Sequence, residues 1–97
     1  MKKAYWIVRV SVTNAAQYPD YLAAAKLAFE KFGAKFLVRG GTYEVKEGEH
    51  RERNVVVEFT DMKTAKACYD SPEYQQAKVI RNANAETDFI IIEGAEI

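Results

Sequence analysis

Apolar residues recur along this chain with two different spacings, one typical of β-strands and one typical of α-helices, and segments of the two kinds alternate. Four segments rich in β-branched and aromatic residues predict strands, at residues 4–12, 34–45, 54–60 and 88–94. A single apolar stripe at spacings of four and three predicts a helix after the first strand, with Tyr18, Leu22, Ala25, Phe29 and Phe32 on it. A second helical region follows the third strand. The order β-α-β-β-α-β predicts an α+β, ferredoxin-like fold, in which two helical segments cover one face of a four-stranded antiparallel sheet.

The ends of the first helix are marked by local signals. Asn14 is predicted to be its N-cap, with Gln17 as the capping-box partner three residues later. Pro19 falls early in the helix, so a kink or a restart is expected there. Gly33 is the expected C-terminal stop.

The second helical region is predicted to break in the middle. Asp61 is expected to cap a helix over 62–70, and Ser71 to cap another that begins at Pro72, because proline is favoured at the first helical position. The charged segment 46–53 between the second and third strands reads as a hairpin loop.

Alternation along the strands separates two faces of the predicted sheet. The wholly apolar set is expected to lie under the helices: Trp6, Val8, Val10, Phe36, Val38, Val55, Val57, Phe59, Ile90 and Ile92. The other set is apolar in patches: Tyr5, Ile7, Arg9, Leu37, Arg39, Val56, Glu58, Phe89, Ile91 and Glu93. Left in water, it would form a larger apolar patch than most soluble monomers carry, so a homodimer packed sheet to sheet is predicted.

Four charges fall on this second face: Arg9, Arg39, Glu58 and Glu93. Charges in a partly buried layer must be paired or solvated. They either line a pocket in which the arginines meet a ligand carboxylate, or form salt bridges at the dimer seam. If the dimer leaves a cavity, Arg39, Glu58, Tyr69 and Tyr74 are the polar groups expected around it.

Tyr69 and Tyr74 have a structural interpretation as well. They flank Ser71 at the break in the second helical region, where both side chains could simply pack with their hydroxyls outward.

Two adjacent glycines interrupt the second predicted strand. Glycine weakens a strand interior, but it tolerates the positive φ that a bulge requires. Gly40 and Gly41 are therefore predicted to form a bulge that tips Arg39 toward the open face.

Composition narrows the function classes. The 97 residues predict one domain, 1–97, and the zero net charge argues against nucleic-acid and membrane-surface partners. The single cysteine, Cys68, excludes an internal disulfide and fits a cytoplasmic protein. The chain also shows no signal-peptide pattern and no apolar run of about 20 residues, which fits the same location.

Metal and cofactor chemistry is not expected. The chain has one histidine and one cysteine, so a metal site lacks ligands. His50 is either a surface histidine or, alternatively, a haem ligand or general base, and Cys68 is expected in the core rather than as a nucleophile. Valines stand where an RNA-recognition domain would carry stacking aromatics on its third strand.

Several motifs together resemble one small bacterial family, the domain of unknown function 1330. They are "FLVRGGTYEVKEGEHRERNVVVEF", "YDSPEYQQAKVIRNANA", "DFIIIEG" and "YWIVRVSVTNAAQYPDYLAAA". The resemblance implies a dimeric α+β barrel and names no reaction; His50 and Pro19 depart from its pattern. Barrels of this kind include cofactor-independent oxygenases and isomerases, but a shared fold does not determine function.

Two functions of different class remain. The first is a homodimer that binds or transforms a small carboxylate-bearing or aromatic molecule in a pocket near Arg39. The second is a non-catalytic binding or stress-related module, whose charged residues only hold the dimer together.

Overall fold

The computed structural model describes residues 2–95, which contain four strands and three helices. In chain order the elements are β1 (Ala4–Val12), α1 (Tyr18–Phe32), β2 (Lys35–Arg39), β3 (Arg53–Phe59), α2 (Met62–Asp70), α3 (Pro72–Asn84) and β4 (Ala85–Glu93). The strands form one antiparallel sheet in the order β2-β3-β1-β4. This topology confirms the predicted ferredoxin-like α+β fold.

The core lies between the sheet and the helices and is centred on Trp6. The indole is 1% exposed and donates a hydrogen bond of 3.0 Å from Nε1 to the carbonyl oxygen of Ala65. Rings from the three helices and from two strands surround it, with centroids 4.8–6.2 Å away: Phe29, Phe59, Tyr69, Tyr74 and Phe89. Edge-to-face packing of this kind stabilises a core beyond the area that it buries.

The helix starts are confirmed in the second helical region and corrected in the first. Asp61 Oδ1 accepts from the amide of Thr64 at 2.7 Å, and Ser71 Oγ accepts from the amide of Tyr74 at 3.2 Å. The first helix begins later than predicted, with Gln17 at its N-cap and no side-chain cap. Asn14 contributes only its backbone carbonyl, because residues 14–17 form a turn before the helix.

Pro19 lies in the first turn of α1 and not in its interior. A proline there removes no intrahelical hydrogen bond, and the helix runs unbroken from Tyr18 to Phe32 without the expected restart. Gly33 ends the helix in the left-handed conformation, as predicted.

The second strand is shorter than predicted, and its bulge lies elsewhere. Phe36 pairs with Val57 and Val38 with Val56, so Leu37 is the extra residue. Gly40 has a φ of 63° and lies just beyond the strand, while Gly41 has no positive φ. The glycines thus end β2 and begin the loop 40–52.

The bulge reverses the faces of the residues that follow it. Val38 pairs with Val56 on the open face of the sheet, and Arg39 pairs with Val55 on the helix-covered face. Both assignments are the opposite of those predicted from strict alternation.

The last strand also has the opposite register to the one predicted. Phe89 pairs with Val8 and Ile91 with Trp6, so both face the helices. Ile90 and Ile92 lie on the open face and are 56% and 48% exposed. The open face nevertheless remains apolar in patches, with Tyr5, Ile7, Val38 and Val56 beside these isoleucines. Among residues 2–95, no helix is long and apolar enough to span a membrane.

Candidate functional site

A cavity of about 500 Å³ opens between α1 and the sheet edge formed by β2 and β3. Four apolar and four charged residues line it. The lining residues are Leu22, Lys26, Phe29, Glu30, Ala34, Phe36, Arg39 and Arg53. We call this space the α1–β2 cavity.

Two guanidinium groups face the α1–β2 cavity, those of Arg39 and Arg53. The Arg39 guanidinium lies 3.7 Å from the centre of the Phe36 ring, a cation–π contact that orients its plane. Arg53 Nε is buried and has no hydrogen-bond partner. Within residues 2–95, neither arginine forms an ion pair.

Gly40 makes room for the second arginine. A Cβ atom on residue 40 would lie 2.6 Å from Arg53 Nη1, and the backbone there is in the left-handed region. The amide of Gly40 donates to the carbonyl oxygen of Asn54 at 2.9 Å, which holds the end of β2 against β3. The absence of a side chain at residue 40 therefore leaves room for the Arg53 guanidinium at its observed position.

A smaller cavity of about 30 Å³ adjoins the first and shares with it the side chains of Leu22, Phe29, Phe36 and Arg53. We call it the inner chamber. Apolar side chains of β1 and β3 line it on the sheet side, and the rings of Tyr18 and Tyr21 line it on the helix side. Burial raises the pKa of both tyrosines, which keeps their hydroxyls protonated.

Behind the inner chamber lies a buried chain of three hydrogen-bonding side chains. Arg81 Nη1 donates to the Tyr74 hydroxyl at 2.8 Å, and that hydroxyl lies 2.8 Å from the Tyr21 hydroxyl. Arg81 is 5% exposed and Tyr74 is 0% exposed. Burial raises the pKa of the Tyr74 hydroxyl strongly.

The four charges predicted to share the open face do not do so. Arg9 and Glu58 lie there, while Arg39 lies on the helix side and Glu93 pairs with Ala4 at the end of the sheet. Glu58 accepts from Lys3 Nζ at 3.1 Å, and Glu93 lies 3.5 Å from Lys2 Nζ. The bulge at Leu37 and the shifted register of β4 account for the two misplacements.

Arg9 donates to the carbonyl oxygen of Glu49 at 3.3 Å. Beside it, Arg51 Nε donates to Asp88 at 2.8 Å, and Arg51 Nη1 donates to Ser11 at 3.0 Å. Arg51 is thus paired with a carboxylate, whereas Arg9 contacts a neutral carbonyl and forms no ion pair within residues 2–95.

The two candidate tyrosines lie on the helix side of the sheet. Tyr69 accepts from Lys78 Nζ at 3.4 Å and lines neither cavity. The prediction that both hydroxyls point outward is wrong for Tyr74, whose hydroxyl is enclosed between Arg81 and Tyr21. Of the residues predicted around a pocket, the α1–β2 cavity contains Arg39 alone.

Three residues of this region were missed by sequence reasoning. Arg53 has the same strand parity as Val55 and Val57, so extending the inward set by one residue would have included it. Arg81 follows Tyr74 by seven residues, which places both on one face of a helix. Tyr21 carried no signal of its own in the sequence, because its partner comes from a different helix.

The histidine and the cysteine lie outside the α1–β2 cavity and the inner chamber, although His50 and Arg9 together line two open pockets of about 450 and 350 Å³ on the other side of the sheet. His50 is exposed in the loop 40–52, with its ring centroid 6.1 Å from that of Tyr43. Cys68 is buried, and burial raises the pKa of its thiol to about 12. In the described part of the chain, no three His, Cys, Asp or Glu side chains are grouped as metal ligands.

Solved structures of similar fold cover almost the whole chain. A protein of unknown function from Rhodopseudomonas palustris has a TM-score of 0.80 and 17% identity, covering 99% of this chain and 85% of its own. SnoaB, a cofactor-independent oxygenase from Streptomyces nogalater, has a TM-score of 0.67 and 13% identity, covering 100% and 97%. These identities establish likeness of fold only.

A third structure, a dimeric protein of unknown function with a ferredoxin-like fold from Bacteroides fragilis, has a TM-score of 0.57 and 16% identity, covering 95% of this chain and 96% of its own. No curated protein matches the sequence. The sequence profile of one family matches residues 3–95, nearly the full length. The chain therefore belongs to the family described as domain of unknown function 1330, DUF1330.

Proposed function

We propose that this protein binds a small organic anion with an apolar body in the α1–β2 cavity. The observation that carries the proposal is the pair Arg39 and Arg53, two guanidinium groups without an ion-pair partner within residues 2–95, at a cavity that apolar side chains and the pair Lys26 and Glu30 also line. In this proposal the rings and aliphatic side chains hold the apolar body, and the guanidinium groups bind a carboxylate.

The chemistry of the rim favours a carboxylate. Guanidinium groups bind carboxylates through two parallel hydrogen bonds, and Arg39 is already oriented by Phe36. Arg53 Nε lacks an acceptor, and leaving a buried donor unpaired costs free energy. Glu30, the carboxylate of the same rim, lies 3.9 Å from Lys26 Nζ and does not pair with either arginine.

The volume of the cavity supports a ligand of one or two rings. Small-molecule sites usually measure about 300–1,000 Å³ and combine apolar walls with a few polar groups. The described SnoaB oxygenase works without a cofactor, which supports a chemical role for side chains alone on this fold. Binding is the activity that we propose here.

We propose further that the active unit is a homodimer. The reason for this proposal is the open face of the sheet, where the apolar side chains of Ile90, Ile92 and Val38 are exposed. The description of the Bacteroides fragilis protein as dimeric supports this arrangement. A second copy packed on that face would cover these side chains and leave the α1–β2 cavity, on the helix side, accessible.

The test compares aromatic carboxylates with the matching amides, for example 2-naphthoate with 2-naphthamide, by thermal shift and calorimetry. The carboxylate should bind and raise the melting temperature, because a ligand of the folded state stabilises it. Arg39→Ala should weaken carboxylate binding about tenfold or more, since a hydrogen bond to a charged group contributes about 1.5–3 kcal/mol.

Arg51→Ala is the matched control, because Arg51 lies on the opposite face and pairs with Asp88. It should leave the affinity unchanged. Equal binding of acid and amide, or an equal loss in both arginine variants, would refute the proposal.

A further inference from the structure

The structure contains a buried cation that none of the described side chains neutralises. Arg81 is 5% exposed, its Nε is buried without a partner, and it forms no ion pair within residues 2–95. Its strongest contact is the Tyr74 hydroxyl, and its guanidinium also lies 5.5 Å from the centre of the Phe89 ring. Buried charges normally have a counter-charge, because desolvation of an isolated ion is costly.

The guanidinium fixes the direction of the first hydrogen bond in the series Arg81, Tyr74 and Tyr21. A guanidinium can only donate, so the Tyr74 oxygen accepts from Arg81. The Tyr74 proton is buried, and in the described structure its one available acceptor is the Tyr21 oxygen. Either hydroxyl can donate in this pair, and donation from Tyr74 to Tyr21 pairs the more deeply buried proton, since Tyr74 is 0% and Tyr21 7% exposed.

The proton of Tyr21 is then left without an acceptor among residues 2–95, and the Tyr21 side chain lines the inner chamber. Hydrogen bonds in series polarise one another, so the charge of Arg81 strengthens Tyr21 as a donor. The raised pKa values of Tyr74 and Tyr21 keep both protons in place, so neither tyrosine becomes the counter-ion.

We propose that Tyr21, polarised by Arg81 through Tyr74, binds an oxyanion of the ligand in the inner chamber. This inference rests on the proposed function and extends it from a carboxylate to a second, acidic oxygen. The ligand class is a small ring compound with a carboxylate and an ionisable hydroxyl or enol. Arg81 and Tyr74 are positioning residues, and Tyr21 makes the contact.

The volumes of the two cavities fit this division. The inner chamber, at about 30 Å³, has room for a group of one or two heavy atoms and not for a ring. The outer cavity, at about 500 Å³, accommodates the ring and the carboxylate. Arg53 lines the inner chamber, and Arg81 is connected to it through Tyr74 and Tyr21, so two cations lie near the proposed oxyanion.

The probe is 4-hydroxybenzoate, which has no substituent beside the phenol oxygen and whose ionised phenol absorbs at longer wavelength than the neutral form. Calorimetry measures the binding of the probe. The absorption spectrum of the bound probe is recorded at a pH where the free phenol is half ionised. In the wild-type protein the bound probe should be almost fully ionised, which corresponds to about tenfold or more tighter binding of the phenolate than of the phenol.

Tyr21→Phe removes one hydroxyl and keeps the ring, so the variant should fold, bind the probe and return its spectrum toward that of the free molecule. Arg81→Gln should have the same effect on the spectrum. Tyr69→Phe is the control, because that hydroxyl lies outside both cavities, and it should retain the wild-type spectrum.

A bound probe with the spectrum of the free molecule would overturn the inference and leave the proposed function standing. Retention of the ionised spectrum in Tyr21→Phe would also overturn it, because the arginines at the rim would then be responsible. Failure of the probe to bind at all would overturn both.

Discussion

The guanidinium of Arg39 lies 3.7 Å from the centre of the Phe36 ring, although the two residues are three positions apart on one strand. In a regular strand such residues point to opposite faces. The bulge at Leu37 inserts one residue between them, so that Phe36 and Arg39 face the helices together. This single irregularity brings the cation to the α1–β2 cavity.

Arg39→Ala tests whether this arginine has a structural role in the empty protein. Because it forms no ion pair and is exposed, its loss should cost only the cation–π contact, about 0.5–1 kcal/mol of unfolding free energy. Oligomeric state should be unchanged. Denaturant unfolding and sedimentation provide the measurements. A loss of about 3–5 kcal/mol, as for a broken buried ion pair, would contradict this prediction.

Gly40 and Gly41 should differ sharply on substitution. Gly40→Ala places a side chain on a backbone with φ of 63° and forces the Arg53 guanidinium to move, because the new Cβ atom would lie 2.6 Å from Nη1; we expect a loss of about 1–3 kcal/mol in unfolding free energy, mainly from the backbone strain. Gly41→Ala meets nothing within 4 Å and should change stability by less than about 0.5 kcal/mol.

Gly33→Ala separates the two causes at residue 40, because it has a φ of 66° and no neighbour within 4 Å. It should cost about 1 kcal/mol, the conformational part alone. Equal stability of the variants at 40 and 41 would show that Gly40 is not required.

The element order, the ferredoxin-like topology and the caps at Asp61 and Ser71 could be predicted from the sequence, because each depends on local pattern or on spacing. The face of Arg39 could not, because it depends on a bulge that no residue marks: Leu37 is an ordinary strand residue. In β4, the run of three isoleucines is apolar on both faces, so alternation carried no information about its register.

The candidate site was predicted only in part for a related reason. Arg39 was identified near a pocket, but the other residues that line the α1–β2 cavity come mostly from α1 and β3. The Tyr21–Tyr74 contact joins residues 53 positions apart on two helices. Such pairs depend on helix packing, which periodicity does not specify.

The open face should mediate a homodimer. Ile90→Asp places a charge among the exposed apolar side chains of that face and should shift the protein from dimer to monomer. Val79→Asp, at a position of α3 that is 69% exposed, is the matched control and should remain dimeric. Sedimentation at micromolar concentration measures the mass of each. A monomeric wild-type protein would disprove the prediction.

Acid should weaken the fold partly through Asp88. The hydrogen bond from Arg51 holds the pKa of this carboxyl below its ordinary value of 3.8. The unfolded state therefore binds the proton more readily, so the contribution of Asp88 is present above that ordinary value and is lost as pH falls through the lowered one.

Asp88→Asn should accordingly lower stability at neutral pH and flatten the decline of unfolding free energy between about pH 5 and pH 2. Glu47→Gln, in the exposed loop 40–52, should leave the decline unchanged. An identical pH profile for Asp88→Asn and wild type would rule out this linkage.

The position of Trp6 gives the protein an optical reporter of its own. It is the single tryptophan of the chain, it is buried, and it lines the inner chamber together with Tyr21 and Phe36. All tryptophan fluorescence of this protein therefore comes from a residue of the inner chamber, where the acidic oxygen of a ligand is proposed to bind. Quenching or a spectral shift of that emission can follow entry into the chamber in real time and without a label, at protein concentrations too low for calorimetry.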